Sequence, residues 1–362
     1  MINKIKKFDG FVLISDIHLG VHSDSLEWLD NIEQYFINFF IPNVKRATDR
    51  GNIGVIIAGD IFDNRHRIDI NVMNVAYNIF NSILSINDNI EIFCIPGNHD
   101  LYKKTAANKN ISSLVCLNID RFNIINDVTL LTLKNNIKML MVPWIGDSKE
   151  ENQILKDNPC DIVIMHTEIA GAEYDNGQKI INGVNTTLTN AKKIYSGHIH
   201  KRQESKNRIY IGSPYQTTRG DMGNKKGLYF IYLDDNGFSN EFIENDYSPE
   251  FVRITSAQIL NNDYEKYLHN YVDIVINDNE LKNTKISKFV NSVKDINFKK
   301  AEILVEHEKH DCNIEEMPHN ISIDEFIEKY INEISDISEK DKTALLKINK
   351  MYIDKCNEMD GN

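Results

Sequence analysis

The sequence predicts a mixed α/β sandwich, and three observations carry this prediction. Short runs rich in Ile, Val, Leu and Phe alternate with longer amphipathic stretches in the first half of the chain. This β–α–β alternation indicates a sheet covered by helices. After about Gly183 the apolar runs follow one another closely, as in antiparallel hairpins, so a purely parallel sheet is excluded.

The strands and helices of the first 232 residues follow from these patterns. Helices are predicted over Leu26–Phe40 and Asn71–Leu84, where apolar residues recur at helical spacing. The apolar stripe of the second helix is typical of a face packed on a core. The expected buried strands are Phe11–Ser15, Ile53–Ala58, Glu91–Ile95, Lys138–Val142, Asp161–Met165, Ala191–Ser196, Arg208–Ile211 and Leu228–Tyr232.

The pattern changes after about Asp246. A compact β-α-β unit is predicted from Tyr271–Ile276, Leu281–Val293 and Ala301–His307. Ser322 with Glu325, and Ser338 with Asp341, have the spacing of capping boxes and predict the starts of two terminal helices. The apolar stripes of these helices fit either packing on the protein's own body or binding to a partner. We therefore expect domains over 1–247, 248–309 and 310–362.

Composition excludes several classes of protein. The chain has 362 residues, of which 41% are hydrophobic and 26% charged, so it is globular rather than disordered. Its five cysteines form no C-x-x-C pair, which argues against a disulfide framework or a thiolate zinc site. No apolar run reaches the roughly 20 residues of a membrane helix. The lysines and short apolar run at the N-terminus do not make a signal peptide. We expect a cytoplasmic protein.

Five of the predicted strands end in Asp, His or Asn side chains. Ligand sites of α/β proteins gather at such strand ends. Residues two apart in an extended segment point to the same side, so D-x-H and H-x-H each present two side chains together. The five blocks are Asp16-Ile17-His18, Gly59-Asp60-Ile61-Phe62-Asp63, Pro96-Gly97-Asn98-His99-Asp100, His166 and Gly197-His198-Ile199-His200.

These blocks offer carboxylate, imidazole and amide ligands without a thiolate. Such a set suits Mn, Fe or Zn better than Ca or Mg. A single histidine is more often a surface or core residue than a ligand, so the prediction rests on all five blocks together. Two ions that share a carboxylate would use the whole set and would act on a phosphate ester. The seven candidate ligands are Asp16, His18, Asp60, Asn98, His166, His198 and His200.

His99 has no clear metal position to fill. It is therefore expected to contact the substrate, where it would stabilise the developing charge or protonate the leaving oxygen. Asp100, the next residue, is expected to orient the His99 ring.

The series D-x-H, GD-x-x-D, GNHD, H and GH-x-H, over residues 10–232, resembles the calcineurin-like metallophosphoesterases. This resemblance implies a sandwich with αββα layers and two divalent ions, Mn first, with Mg, Fe or Zn as alternatives. It assigns a catalytic role to His99. It assigns one metal to Asp16, His18, Asp60 and His200, and the other to Asp60, Asn98, His166 and His198.

Further motifs resemble the SbcD-type DNA nucleases, and particularly their phage recombination-endonuclease relatives. These motifs are Asp60-Ile61-Phe62-Asp63, Val142-Pro143-Trp144, and Gly212-Ser213-Pro214-Tyr215 followed by Lys226-Gly227. The resemblance implies a DNA exonuclease or endonuclease that processes DNA ends in recombination and repair. It also implies a capping domain at 248–309, C-terminal helices that bind a coiled-coil ABC-type ATPase, and a homodimer formed near Asn71–Leu84.

Asp63 stands where some members of this nuclease family have a histidine that is linked to exonuclease action. The bacterial and phage types resemble this chain instead. Asp63 is therefore expected either to act in catalysis or to hydrogen-bond to a metal ligand.

Charge is distributed unevenly along the chain. The formal net charge is −12, which by itself argues against nucleic acid. Residues 191–230 nevertheless contain nine basic and two acidic residues, whereas residues 301–362 contain sixteen acidic and seven basic residues. We interpret these segments as a surface for DNA and a surface for a protein partner. Lys201 and Arg202, together with Arg65 and Arg67, are the predicted phosphate contacts.

Two other functions stay open at this point. One is a phosphomonoesterase or protein phosphatase on the same fold, against which the G-S-P…K-G segment, the cap and the tail argue. The other is a scaffold without catalysis, which predicts missing ligands, and no ligand is missing from the five blocks. The abundance of Ile, Asn and Lys fits a phage or a low-GC bacterium.

Overall fold

The chain folds around two six-stranded mixed sheets. This computed structural model describes residues 5–102, 112–277, 286–306, 328, 331–332 and 338–359. The first sheet, in the order β12-β11-β1-β2-β3-β4, contains β1 Gly10–Ile14, β2 Ile53–Ile57, β3 Ile92–Cys94, β4 Phe122–Ile124, β11 Gly227–Asp234 and β12 Gly237–Glu244. The second, in the order β5-β6-β7-β8-β10-β9, contains β5 Thr129–Thr132, β6 Lys138–Val142, β7 Ile162–His166, β8 Lys193–Gly197, β9 Gln203–Ser205 and β10 Arg208–Tyr210.

Strand direction brings the functional strand ends to common edges. In the first sheet β1, β2, β3 and β4 run parallel, and in the second sheet β6, β7, β8 and β10 run parallel. The antiparallel strands lie outside them, with β11 and β12 on one side of the first sheet and β5 and β9 at the two edges of the second. The predicted mixed α/β class is confirmed.

Helices cover the first sheet and part of the second. Helix α1, Leu26–Tyr35, continues through a π-helical turn, Phe36–Phe40, into α2, Ile41–Thr48. Helix α3, Ile70–Leu84, begins after Asp69, whose side chain accepts a hydrogen bond from the Asn71 backbone N–H. Helix α4 spans Ser148–Asp157.

Three apolar clusters separate these layers. The first lies between the helices and the first sheet and includes the predicted stripe of α3. The second lies between the sheets, where Phe11 and Phe93 of the first sheet and Ile164 and Tyr195 of the second are all buried. The third covers the outer face of the second sheet and includes Leu155 of α4. The sandwich therefore has a well-filled interior that fixes the strand ends.

A smaller three-stranded parallel sheet follows the sandwich. It consists of β13 Phe251–Thr255, β14 Tyr271–Asn277 and β15 Lys300–Glu306, with helices α5 Ser256–Leu260 and α6 Ile286–Lys294. Its own apolar cluster includes Ile274 and Phe289. Sequence reasoning expected β14, a helix and β15 but missed β13. The domain boundary at residue 248 stays a prediction.

The C-terminal part is described only in segments. Residues 307–362 form a compact unit separate from residues 1–306. The helix predicted after Ser338 is present as α7, Glu339–Met359, and the Ser338 hydroxyl accepts the backbone N–H of Asp341 at 3.2 Å. The helix start predicted at Ser322 lies outside the described residues, as do residues 278–285 and 307–309 of the predicted small domain.

Two sequence-based expectations need correction. The segment after Gly183 was expected to form antiparallel hairpins; β9–β10 and β11–β12 do pair antiparallel, but β10 also pairs in parallel with β8. Strands β4, β5, β9, β12 and β13 were not predicted. The first three contain only three or four residues, and β12 and β13 carry polar or charged side chains at several positions, so their apolar signal is weak. Within the described residues, no helix is long and apolar enough to cross a membrane.

Candidate functional site

The five sequence blocks meet at one end of the sandwich. Blocks one to three follow β1, β2 and β3 of the first sheet, His166 ends β7, and His198 follows β8 of the second. The two sheets approach closely here, because the backbone N–H of His198 donates to Asp16 Oδ1 at 3.0 Å. All seven predicted ligands therefore lie in one region, and six of them form two compact clusters.

The first cluster contains Asp16, His18 and His200. One ligand atom of each lies within 4.8 Å of the others. The Nε2 atoms of His18 and His200 are 3.0 Å apart. The Oδ2 atom of Asp16 is buried and has no hydrogen-bond partner among the described residues.

The second cluster contains Asp60, His166 and His198, and Asn98 joins it. The amide oxygen of Asn98 lies 3.1 Å from His166 Nε2 and 2.7 Å from His198 Nδ1. Asp60 Oδ2 lies 3.2 Å from His166 Nε2 and 3.8 Å from His18 Nε2. The carboxylate of Asp60 therefore lies between the two clusters.

Groups outside the clusters face two of the imidazoles: a hydrogen-bonded carbonyl oxygen at His166 and a carboxylate at His18. His166 Nδ1 lies 2.7 Å from the carbonyl oxygen of Ala58, so Nδ1–H donates to that oxygen and Nε2 is the nitrogen that faces the cluster. His18 Nδ1 lies 3.1 Å from Asp63 Oδ1. Asp63 thus occupies the position of a carboxylate that orients a histidine ligand, which agrees with one of its two expected roles.

The ligand loops have strained backbones. Four of the seven ligands have left-handed φ values: 54° at Asp16, 50° at His18, 53° at Asp60 and 86° at His198. Non-glycine residues adopt this region rarely, and such strain persists where the surrounding structure enforces it. Gly59 has a φ of 94°, and a Cβ atom there would overlap the His166 ring. The loops are therefore shaped for the side chains they carry.

Protonation of the clusters reflects the buried carboxylates. Burial lowers the pKa of His166, but the Asp60 carboxylate outweighs burial and raises it to about 9. Burial alone would raise the pKa of Asp60, yet neighbouring His166 holds that pKa well below its usual range. Burial and the nearby His18 lower the pKa of His200. The buried carboxylate of Asp60 thus favours a positive charge beside it.

These residues fit divalent metal ions. The donor set combines carboxylate and amide oxygens with imidazole nitrogens, which suits Mn, Fe or Zn. A cation in the first cluster would satisfy the orphaned Asp16 Oδ2 and separate the facing Nε2 atoms of His18 and His200. A cation in the second would take the lone pair that His166 directs toward Asp60.

His99 and Asp100 differ in what they contact. The His99 backbone N–H donates to Asp60 Oδ1 at 2.7 Å, and the ring Nδ1 lies 2.6 Å from the carbonyl oxygen of Asp63. Asp100 does not orient this ring as expected. Its carboxylate accepts the backbone N–H groups of Gly97, Ile61 and Phe62, at 2.9, 3.1 and 3.2 Å. Asp100 therefore ties the second block to the third, and burial raises its pKa to about 7.

The two predicted DNA contacts after His200, Lys201 and Arg202, contact other side chains of this protein. The guanidinium of Arg202 lies 4.1 Å from the centre of the Phe242 ring, and its Nε donates to the Tyr229 hydroxyl at 2.7 Å. This packing contradicts the expectation that Arg202 faces a phosphate. Lys201 Nζ lies 3.3 Å from Glu173 Oε2, so a phosphate would have to replace this carboxylate.

The basic segment 191–230 is largely neutralised. Arg208 donates to the carbonyl oxygens of Ala170 and Gly171. Most of the acidic partners lie outside the segment, so a count along the sequence overstates the positive surface. The ion pairs are Lys192–Asp161, Lys193–Glu204, Lys201–Glu173, Arg202–Glu204, Arg219–Asp273, Arg219–Glu302, Lys225–Glu244 and Lys226–Asp221.

Arg65 and Arg67 instead line an open cleft. The cleft has a volume of about 660 Å³, and its lining begins at Arg65, two residues after Asp63 in the chain. The Arg67 side chain is 77% exposed and lies 3.4 Å from the Asp24 carboxylate. The aromatic part of the wall includes His66 and Tyr102, with ring centres 5.2 Å apart.

Sequence reasoning missed several neighbours of the ligands. Glu168 Oε1 lies 3.5 Å from His198 Nε2, and the Trp144 ring centre lies 4.9 Å from that of His198. The sequence signal for Glu168 was its position two residues after His166, and Trp144 was noted only as part of a motif. Tyr215 and Lys226, also within noted motifs, contact the backbone of the first cluster.

A sandwich of two mixed sheets with these clusters at the strand ends defines a metallophosphoesterase. The model of the calcineurin-like phosphoesterase family matches residues 10–202, and the chain belongs to that family. Its members bind divalent metals and hydrolyse phosphate esters.

Comparison with individual proteins adds three similarities. Exonuclease subunit 1 of Enterobacteria phage T4 is 27% identical, over 94% of this chain and 98% of its own length. Putative phosphoesterase 078R of Invertebrate iridescent virus 3 is 26% identical, over 51% of this chain and 54% of its own length. A dimetal phosphatase from Danio rerio is 10% identical with a TM-score of 0.40, over 66% of this chain and 96% of its own.

Glu151 gives the site a testable pH dependence. This buried side chain of α4 accepts the Thr167 hydroxyl at 2.9 Å, and burial raises its pKa from 4.5 to about 8. The folded carboxyl holds its proton more tightly than the unfolded one, so stability falls from about pH 4.5 to about pH 8. Glu151→Gln removes this titration. The melting temperature of this variant minus that of the wild type should rise from about pH 4.5 to about pH 8 and stay constant above that pH.

Scanning calorimetry of metal-free protein across this pH range measures the difference. Asp157→Asn, at an exposed position of the same helix, is the control and should show no such trend. A constant offset between Glu151→Gln and the wild type would contradict the prediction.

Proposed function

We propose that the chain is a two-metal DNA phosphodiesterase, the nuclease subunit of an ATPase–nuclease complex that processes DNA ends in recombination and repair. The observation that carries the two-metal part is the position of Asp60 between the two clusters, 3.2 Å from His166 and 3.8 Å from His18. One ion would be held by Asp16, His18, Asp60 and His200. The other would be held by Asp60, Asn98, His166 and His198.

The protein's own residues prepare the reaction. Two divalent ions bound there would activate a water molecule and neutralise the phosphate. His99 donates Nδ1–H to the carbonyl oxygen of Asp63, which fixes its ring beside that of His18, with ring centres 4.9 Å apart. Burial lowers the pKa of free His99, and the negative phosphate of a bound substrate would favour the protonated ring again. That ring can then give its Nε2 proton to the leaving oxygen.

DNA as the substrate is supported by the cleft and by a relative. Arg65 and Arg67 offer guanidinium groups for phosphates beside Asp63, and the aromatic wall offers a surface for bases. The phage T4 relative, similar over nearly its whole length, is an exonuclease subunit. The cleft therefore replaces the segment 191–230 as the main proposed DNA surface, and Lys201 stays a secondary contact.

The first test is metal-dependent cleavage. With Mn²⁺, the wild type should cut linear double-stranded or single-stranded DNA, alone or with the ATPase. His99→Ala should lower the cleavage rate by roughly 10²–10⁴-fold, because it removes the proposed proton donor and none of the seven proposed ligands. Gel assays of end-labelled DNA measure the rate, and Mn²⁺ binding should be unchanged.

His269→Ala, which removes an exposed histidine elsewhere, is the matched control and should keep full activity. Robust hydrolysis of a phosphomonoester without any DNA cleavage would instead favour the phosphatase alternative. An equal loss in both histidine variants would refute the role of His99.

The second test concerns the cleft. Arg65→Ala with Arg67→Ala should weaken DNA binding and reduce the slope of log Kd against log salt by about 2, roughly one per lost phosphate contact. Fluorescence anisotropy with Ca²⁺ in place of Mn²⁺ measures binding. Lys225→Ala is the control, since Lys225 is exposed but paired with Glu244 at 2.6 Å. An equal effect of Lys225→Ala would point back to the basic segment.

The partner surface is proposed at the C-terminus. Residues 301–362 are strongly acidic, and α7 exposes Leu345 by 40% and Ile348 by 50%. Deleting residues 322–362 should abolish binding to a coiled-coil ABC-type ATPase and spare Mn²⁺-dependent cleavage. Co-purification and the cleavage assay measure the two properties. Retained binding would reject this part of the proposal.

The remaining parts of the proposal concern assembly and place. A homodimer formed near Asn71–Leu84 is part of the proposal, as the family resemblance implies. A purely monomeric sedimentation profile at micromolar concentration would contradict it. The proposed place of action is the cytoplasm of a bacterium or of a phage-infected cell.

A further inference from the structure

Two buried polar side chains outside the ligand blocks contact the backbone of the first cluster. They are Tyr215 and Lys226, which are 4% exposed each. Both belong to the segment 213–226, which we call the bracing segment. It follows β10 and ends at the residue before β11.

Lys226 holds the backbone of His200. Its ammonium group donates to the His200 carbonyl oxygen at 2.8 Å, to Ser213 Oγ at 2.8 Å and to Asp221 Oδ1 at 2.6 Å. The Ser213 backbone N–H donates to the same carbonyl oxygen at 3.1 Å. All three ammonium hydrogens therefore have partners, which is what a buried lysine requires.

Asp221 completes this arrangement from the other side. It is 3% exposed, and its Oδ2 atom accepts the backbone N–H groups of Thr217 and Thr218 at 3.0 Å each. The neighbouring lysine outweighs burial and lowers the pKa of this carboxyl. The ion pair is fixed to the turn that carries it, so Lys226 has little freedom to move away from His200.

Tyr215 holds the backbone of the other two ligands. Its hydroxyl donates to the carbonyl oxygen of Ile17, the residue between Asp16 and His18. Its ring packs against Tyr35, with ring centres 5.1 Å apart. Asp16 and His18 both have left-handed φ values, 54° and 50°, and such a conformation needs an external restraint. The hydroxyl of Tyr215 supplies one at the peptide that joins them.

We propose that Lys226 and Tyr215 are positioning residues for one of the two metal positions, the one formed by Asp16, His18 and His200. The inference rests on the proposed two-metal function. Lys226 restrains the backbone of His200, and Tyr215 restrains the backbone at Ile17, which joins Asp16 to His18. His166 of the second cluster is restrained separately, by the carbonyl oxygen of Ala58. Loss of either positioning residue therefore weakens one metal position selectively.

The test counts metal ions rather than turnover. Tyr215→Phe removes one hydroxyl, and Lys226→Met removes the ammonium group. Isothermal titration with Mn²⁺ and low-temperature EPR measure the two affinities and the spin coupling of paired ions. Each variant should bind one ion about as the wild type does and the other roughly 10–100-fold more weakly, as for other supports of metal ligands. The EPR signal of spin-coupled Mn²⁺ pairs should be replaced by that of isolated Mn²⁺ ions.

Tyr195→Phe is the matched control. Tyr195 is equally buried, but its hydroxyl has no hydrogen-bond partner among the described residues, so both affinities should stay unchanged. If Lys226→Met does not fold, as judged by circular dichroism, Tyr215→Phe with its control decides alone. Equal weakening of both ions, or no weakening, overturns the inference.

The two proposals fail in distinguishable ways. Wild-type protein that binds two Mn²⁺ ions but cuts no DNA would reject the nuclease function and leave the positioning roles intact. Wild-type protein that binds at most one Mn²⁺ ion would remove the basis of both.

Discussion

The structure depends on keeping one carboxylate, that of Asp60, charged and buried at the end of the sandwich. Asp60 is 2% exposed, and its two oxygens contact the His99 backbone N–H and the rings of His166 and His18. A buried charge is costly unless it is paired and hydrogen-bonded. The loops of both sheets must therefore converge on this point, and the parallel strands are what bring them there.

Bringing these loops together strains their backbones, and interactions in the rest of the fold offset the free-energy cost of that strain. Left-handed φ values at Asp16, His18, Asp60 and His198 each cost on the order of 1–3 kcal/mol. The apolar cluster between the sheets, the hydrogen bonds that Asp100 accepts and the one that Tyr215 donates hold these loops in place. The site is rigid because restraints reach its backbone from several directions.

Much of this arrangement was predictable, because apolar strands followed at once by Asp or His leave a signal along the chain. The strands before Asp16, Asp60 and Asn98 are examples. Contacts between distant segments leave no such signal. The pairing of His99 with the carbonyl oxygen of Asp63 and the packing of Arg202 on Phe242 both depend on tertiary geometry. The apparent positive charge of residues 191–230 is largely neutralised for the same reason, since most of the acidic partners come from other parts of the chain.

The bracing segment also touches the small three-stranded sheet. Arg219 Nε lies 3.0 Å from Asp273 of β14, and Gln216 accepts the backbone N–H of Phe251 at 2.8 Å. The same fourteen-residue stretch thus contacts both the small sheet and the loops that carry Asp16, His18 and His200. Linkage is reciprocal. If a ligand displaces the small sheet through Arg219 and changes the cation affinity by some factor, cation binding must change the affinity of that ligand by the same factor. Cation binding at the cluster and ligand binding at the small sheet would then be linked by a single coupling free energy.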